Sequence, residues 1–153
     1  MNRRQFHQTL TALLPAAALA QAQPSREHTQ VVRKLMRVKM AVTDMPKAKA
    51  FYADKLGLKV ETDYRIDDHN WWVSFTLPEG GTSITLTTAH ENMKPGTMNL
   101  YFATSNVAAA RLELSAKGAQ VSEVKDDLSG PGSGVKWLNL ADPDGNQVLL
   151  VQA

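Results

Sequence analysis

The sequence of 153 residues contains no cysteine. Disulfides, thiol catalysis and cysteine-ligated zinc are thereby excluded, while the redox compartment stays open. No charge of one sign dominates: 17 Lys and Arg stand against 15 Asp and Glu, a surplus of +2. So small a surplus gives no electrostatic footprint for nucleic acid. Long apolar runs are missing too, none approaching the roughly 18 residues needed to span a bilayer. What is present is ordinary for a globular chain, with 43% hydrophobic and 21% charged residues. The length suits one domain that buries a core without staples.

The surplus charge is local. Residues 1–22 hold Arg3 and Arg4, no acid, and an apolar centre from Leu10 to Ala20 that includes Pro15. A cationic start, a short apolar centre and a small-x-small end are the parts of a bacterial export signal. Cleavage is expected after Ala20 or Ala22. Asn2-Arg3-Arg4-Gln5-Phe6 resembles the twin-arginine signature, departing from it at Asn2, His7 and Gln8. The alternative, an amphipathic N-terminal helix, is disfavoured because Pro15 and the Ala-rich centre make a poor apolar face. Residues 23–34 read as a polar linker. The expected location is periplasmic or secreted, and export does not require disulfides. Removing Arg3 and Arg4 from the 17 basic residues leaves 15, equal to the 15 acidic ones.

From residue 35 onward, period-two apolar segments surround two helical ones. Residues 35–42 read as a strand with Val38, Met40 and Val42 on one face and Arg37, Lys39 and Ala41 on the other. Asp44 is the expected N-cap, with Pro46 in the first turn, where its missing N–H costs nothing. Ala48, Phe51, Tyr52 and Leu56 follow at helical spacing, and Gly57 stops the helix. Strands are expected over 58–66, 71–77 and 82–88. The order then repeats. A strand over 98–104 leads to an N-cap at Asn106, an apolar stripe of Val107, Ala110 and Leu114, and a stop at Gly118. Strands over 120–125, 135–140 and 147–151 complete the set, the last turn being Asp142-Pro143-Asp144-Gly145-Asn146. Asp44 and Asn106 stand 62 positions apart, Gly57 and Gly118 61. The fold class is α+β, with two β-α-β-β-β modules, 35–88 and 98–151, in one domain over 35–151.

Three runs carry a resemblance to a known family: Ala41-Val42-Thr43-Asp44-Met45, Phe51-Tyr52-Ala53-Asp54-Lys55-Leu56-Gly57-Leu58 and Asp142-Pro143-Asp144-Gly145-Asn146. With the repeat, the chain resembles the vicinal oxygen chelate superfamily of glyoxalases, bleomycin-resistance proteins, fosfomycin-resistance enzymes and extradiol dioxygenases. The resemblance implies that the two modules form a curved mixed-sheet cup. In enzymes of the family the cup holds a divalent metal on His, Glu or Gln side chains, donors that suit such ions. Aligned on the quoted runs, the four ligand positions hold Arg37, Thr85, Asn99 and Leu149. Arg37 keeps its proton and cannot ligate, and Leu149 has no donor. Thr85 and Asn99 offer only weak neutral oxygens, and a one-residue slip brings no better donor. No metal ligands are therefore assigned.

The histidines outside the signal are His28 in the linker, His69 in Asp67-Asp68-His69-Asn70, and His90 next to Glu91. His69 with its aspartates reads as a solvated turn in preference to a surface ion site. His90 with Glu91 has the makings of an acid/base pair at the cup's rim. Ser129-Gly130-Pro131-Gly132-Ser133-Gly134 lacks a following helix, so a flap or plain connection is expected there in preference to a phosphate loop.

The parity of the four ligand positions places Arg37, Lys39, Ser83, Thr85, Thr87, Asn99 and Tyr101 on the cup face. Trp137, Asn139, Gln147 and Leu149 follow from the later strands, with Trp72 and Ser74 added. Met40, Ile84, Leu86, Leu100, Phe102, Val148 and Leu150 take the opposite parity and should cover the helices. Hydroxyls, amides, aromatic rings and two cations suit an organic ligand with an anionic group. The competing reading is a solvated sheet face. The expected ligand-binding residues are Arg37, Lys39, Trp72, Thr85, Asn99, Tyr101, Trp137, Asn139 and Gln147.

The favoured function is an exported domain, similar in principle to the bleomycin-resistance type, that binds a small organic molecule without a metal cofactor. The alternative is a divalent-metal-dependent lyase, isomerase or dioxygenase of glyoxalase type with a rearranged site. A third is an interaction module whose cup closes on dimerisation. Catalytic residues are unassigned. The expected partners are a small molecule and a second copy of the chain, with no nucleic acid and no membrane after signal removal.

Overall fold

The computed structural model describes residues 31–153, so the expected export signal lies outside the described residues. Strand β1 (Arg37–Ala41) leads into helix α1 (Met45–Ala50). The Asp44 carboxylate caps α1 by accepting from Lys47 N at 3.0 Å, and Pro46 sits in the first turn. The helix widens into a π-type segment (Phe51–Lys55), where Leu56 N donates to the Phe51 carbonyl. Gly57, at φ 73°, turns the chain out of the helix as no other residue does without strain. Strands β2 (Lys59–Arg65), β3 (Trp71–Thr76) and β4 (Ser83–Thr87) follow. The first sheet runs β1-β4-β3-β2, with β1 parallel to β4 and the other pairs antiparallel.

The second module opens in the same way. Strand β5 (Asn99–Thr104) precedes α2 (Val107–Ala116), which Asn106 caps by accepting from Ala109 N at 3.0 Å. Strands β6 (Trp137–Ala141) and β7 (Gln147–Gln152) complete a sheet in the order β5-β7-β6, with β5 parallel to β7. Arg37 pairs with Ser83 in the first module and Asn99 with Gln147 in the second, so both open on the same parallel pairing.

One expected strand does not form. Residues 120–125 make only isolated bridges, Val121 to Leu140 and Lys125 to Trp137. Between them the Asn139 amide donates to the Ser122 hydroxyl at 3.0 Å instead of a backbone carbonyl. A side chain occupying that place in the ladder interrupts the pairing. The strand expected over 135–140 is correspondingly shorter, and Val135 bridges Asp127 alone.

The core lies on the helix side of both sheets. Met40, Val73, Phe75, Ile84 and Leu86 from the first sheet join Leu100, Leu138, Leu140, Val148 and Leu150 from the second in one buried cluster. Burying each such side chain stabilises the fold by about 1.5–3 kcal/mol before entropy is counted. Of the seven residues expected on this side, only Phe102 is partly exposed.

A polar clasp joins the modules. Tyr52, fully buried, donates its hydroxyl to Asp142 Oδ2 at 2.8 Å. Asp142 also accepts from the Asp144 and Asn146 amides and from Asn146 Nδ2. The buried carboxylate is thus balanced by hydrogen bonds, as burial of a charge requires. Asn146 Oδ1 accepts from Met98 N, and Asp144 Oδ1 from Thr43 N and its hydroxyl. Among the described residues no helix is long and apolar enough to cross a membrane.

Candidate functional site

The side of the first sheet away from the helices is laid out by its register. One row runs Ala41, Thr87, Trp72, Tyr64; the next runs Lys39, Thr85, Ser74, Thr62; a third holds Arg37, Ser83 and Thr76. Strand geometry separates successive rows by about 7 Å. The Trp72 and Tyr64 rings stack at 4.5 Å between centroids, tilted 32°. Both are open to solvent, at 37% and 50% exposure. Aromatic, hydroxyl and cationic groups therefore follow one another down a single face.

The two cations are held differently. Lys39 Nζ pairs with Glu91 at 2.9 Å, both side chains being substantially exposed. Glu91 has φ 49°, the one positive φ at a non-glycine among the described residues. Arg37 Nε donates to the Ser83 hydroxyl at 3.2 Å. Beside it lies a cavity of about 420 Å3, walled by Arg37, Glu61, Thr76, Ser83 and the β3–β4 turn. Thr85 is buried, its hydroxyl committed to Ser74 at 2.8 Å.

Trp71 points the other way and packs against the core. Its indole Nε1 donates to Asp63 at 2.7 Å, Arg65 lies over its ring at 4.5 Å, and Lys49 pairs with the same Asp63. The Lys49 contact first, and the indole second, hold the Asp63 carboxyl below its ordinary value.

The corresponding face of the second sheet has the rows Asn99, Gln147, Ala141; Tyr101, Leu149, Asn139; and Ala103, Val151, Trp137. Tyr101 is 64% exposed. Trp137 is engaged on both its ring and its edge: Lys125 Nζ lies 4.9 Å from the ring centroid, and the indole donates to Asp127 at 3.0 Å. Asn139 meets Ser122 through its backbone.

The nine expected residues thus divide. Arg37, Lys39, Trp72 and Thr85 share one face of the first sheet; Asn99, Tyr101, Trp137, Asn139 and Gln147 share one face of the second. Among the described residues no hydrogen bond, ion pair or aromatic contact joins the two sets. Thr85 is enclosed within its sheet instead of presented outward. Tyr64 escaped the alternation pattern because β2 carries a register shift between Val60 and Thr62, which changes the parity along the strand. Glu91 was legible as a neighbour of His90 but not as the partner of Lys39. His90 Nε2 faces the Val42 carbonyl at 2.9 Å, so the two do not act as a pair. The turn at His69 is closed by Asp67, which accepts from the His69 and Asn70 amides. The Asn70 side chain is the chief cause of its lowered pKa.

The four residues expected at metal-ligand positions do not suit a divalent ion. Arg37 is a cation, Leu149 an alkyl group, the Thr85 hydroxyl is bound by Ser74, and Asn99 offers one amide oxygen. Among the described residues no group of three or more His, Asp or Glu is placed to hold a metal.

A model of the Glyoxalase/Bleomycin resistance protein/Dioxygenase superfamily matches residues 34–150. The chain belongs to this superfamily. Among solved structures of similar fold is TnmS3, an antibiotic binding protein from Streptomyces sp. CB03234. It is 27% identical with a TM-score of 0.69, covering 80% of this chain and 97% of its own. A glyoxalase/bleomycin resistance protein from the same organism is 28% identical with a TM-score of 0.64, covering 78% of this chain and 100% of its own. Lactoylglutathione lyase from Agrobacterium tumefaciens has a TM-score of 0.66 over 81% of this chain and 96% of its own; at 18% identity it shares the fold alone. No curated protein sequence matches the chain.

Proposed function

We propose that this superfamily member is an exported, metal-independent binding protein for a small aromatic molecule bearing an anionic group. The carrying observation is the solvent-open Tyr64–Trp72 stack of the first sheet, which adjoins the row containing Lys39. A flat ring resting on that pair gains about 0.5–1.5 kcal/mol beyond its area burial. The anionic group reaches Lys39 or Arg37, where charge-assisted hydrogen bonds fix its orientation. The Lys39–Glu91 pair is solvent-exposed, and such pairs contribute only about 0–1 kcal/mol, so a ligand anion readily replaces Glu91. The likeness to an antibiotic binding protein supports small-molecule binding as the class of function.

Export through the twin-arginine route is part of this reading, supported by Arg3-Arg4 and the apolar centre that follows. So is a homodimer, supported by the Tyr101 ring left open on the second sheet. Two measurements on the purified protein test the binding claim. Metal analysis after dialysis is expected to find no stoichiometric divalent ion; near-stoichiometric Zn, Ni, Mn or Fe would contradict the metal-free reading. Naphthalene-2-sulfonate is expected to bind in preference to the corresponding naphthyl trimethylammonium cation, and equal affinities would remove the role given to Lys39 and Arg37.

A further inference from the structure

A second cavity, of about 410 Å3, opens on the helix side of the domain. Its walls come from both modules: Leu56, Leu58 and Leu77 from the first, Phe102, Leu114 and Leu150 from the second. Ala110 of α2 faces it with no more than a methyl group. The volume falls in the range of about 300–1,000 Å3 typical of small-molecule sites. The β3–β4 turn separates it from the cavity at Arg37, and neither Lys39 nor Trp72 lines it.

Of its charged lining residues, Lys55 and Glu113 are already engaged, and Glu79 lies exposed on the β3–β4 turn. Lys55 Nζ donates to the Gly118 carbonyl at 3.3 Å, and Glu113 pairs with Lys117 at 2.7 Å. No buried donor or acceptor is thereby left to reward a charged guest, whereas the apolar walls lack dispersion partners across the gap. An apolar guest that displaces water from these leucine and phenylalanine side chains gains from the apolar area it covers.

We propose that this intermodule cavity is a second binding site, taking a neutral apolar molecule of about two rings in bulk. Its chemistry is opposite to that of the sheet face carrying Tyr64 and Trp72, which offers the cations Arg37 and Lys39. A guest here touches both modules, so it stabilises the folded domain by mass action.

The test uses the full chain and N-phenyl-1-naphthylamine, a neutral probe whose emission rises in apolar surroundings. Saturable binding at one site is expected, together with a raised melting temperature. Trp72→Ala leaves it intact. Ala110→Phe fills the cavity and Glu113→Trp covers it from an exposed helix position, so loss of probe binding in either folded variant supports the site. Absence of saturable binding, loss of it in Trp72→Ala, or survival in both filling variants would overturn the proposal. Failure of naphthalene-2-sulfonate to bind bears on the open face alone and leaves this outcome untouched.

Discussion

Tyr52 shows how much one buried hydroxyl decides. It is the only side-chain link from the first helix to the Asp142 carboxylate among the described residues. Removing it in Tyr52→Phe leaves a buried carboxylate short of a donor, at a cost of about 1–3 kcal/mol. Burial first, and the facing Asp142 second, push the phenol far above its ordinary value of 10.0. The unfolded chain therefore loses this proton near pH 10 while the folded chain keeps it. The stability tied to the phenol is full below pH 10 and falls as pH rises beyond it, by about 1.4 kcal/mol per unit. Urea midpoints at pH 8 and pH 11 check both statements: wild type should exceed Tyr52→Phe at pH 8, and the gap should narrow at pH 11. A gap that widens would show that the folded chain does not hold the phenol protonated.

At the scale of elements, glycines separate a local constraint from a long-range one. Gly57 and Gly96 share positive φ, 73° and 76°. A Cβ on Gly57 meets nothing, whereas on Gly96 it collides with the Asp144 carbonyl oxygen of the β6–β7 hairpin. Gly57→Ala should cost about 1–2 kcal/mol from the backbone alone. Gly96→Ala should cost clearly more, because backbone from the hairpin has to move; denaturant midpoints of the two variants measure the difference. The same contrast explains what could be read from the sequence. Caps at Asp44 and Asn106, the stop at Gly57 and the parity of β1, β4, β5 and β7 are local signals, and each appears where spacing places it. The strand over 120–125 failed because the Ser122 hydroxyl enters its ladder, a tertiary event no alternation pattern records. Tyr64 was hidden by the β2 register shift, and Glu91 by a partner 52 residues away.

Across the whole molecule, repetition made the architecture legible while leaving the chemistry open. Two modules opening on the same parallel pairing follow from sequence periodicity. The grouping of Tyr64, Trp72, Lys39 and Arg37 requires the sheet register. The proposed export rests on Arg3 and Arg4. Replacing both by lysine should stop export through a route that reads the arginine pair, and fractionation should then find the chain in the cytoplasm; unchanged export would remove the twin-arginine assignment. The most direct measurement is a titration of the full chain with naphthalene-2-sulfonate, followed through tryptophan emission in wild type, Trp72→Ala and Lys39→Ala. A saturable change is expected in wild type, lost in Trp72→Ala and weakened in Lys39→Ala. No change in wild type, or equal affinity in all three, would contradict a binding site on this face.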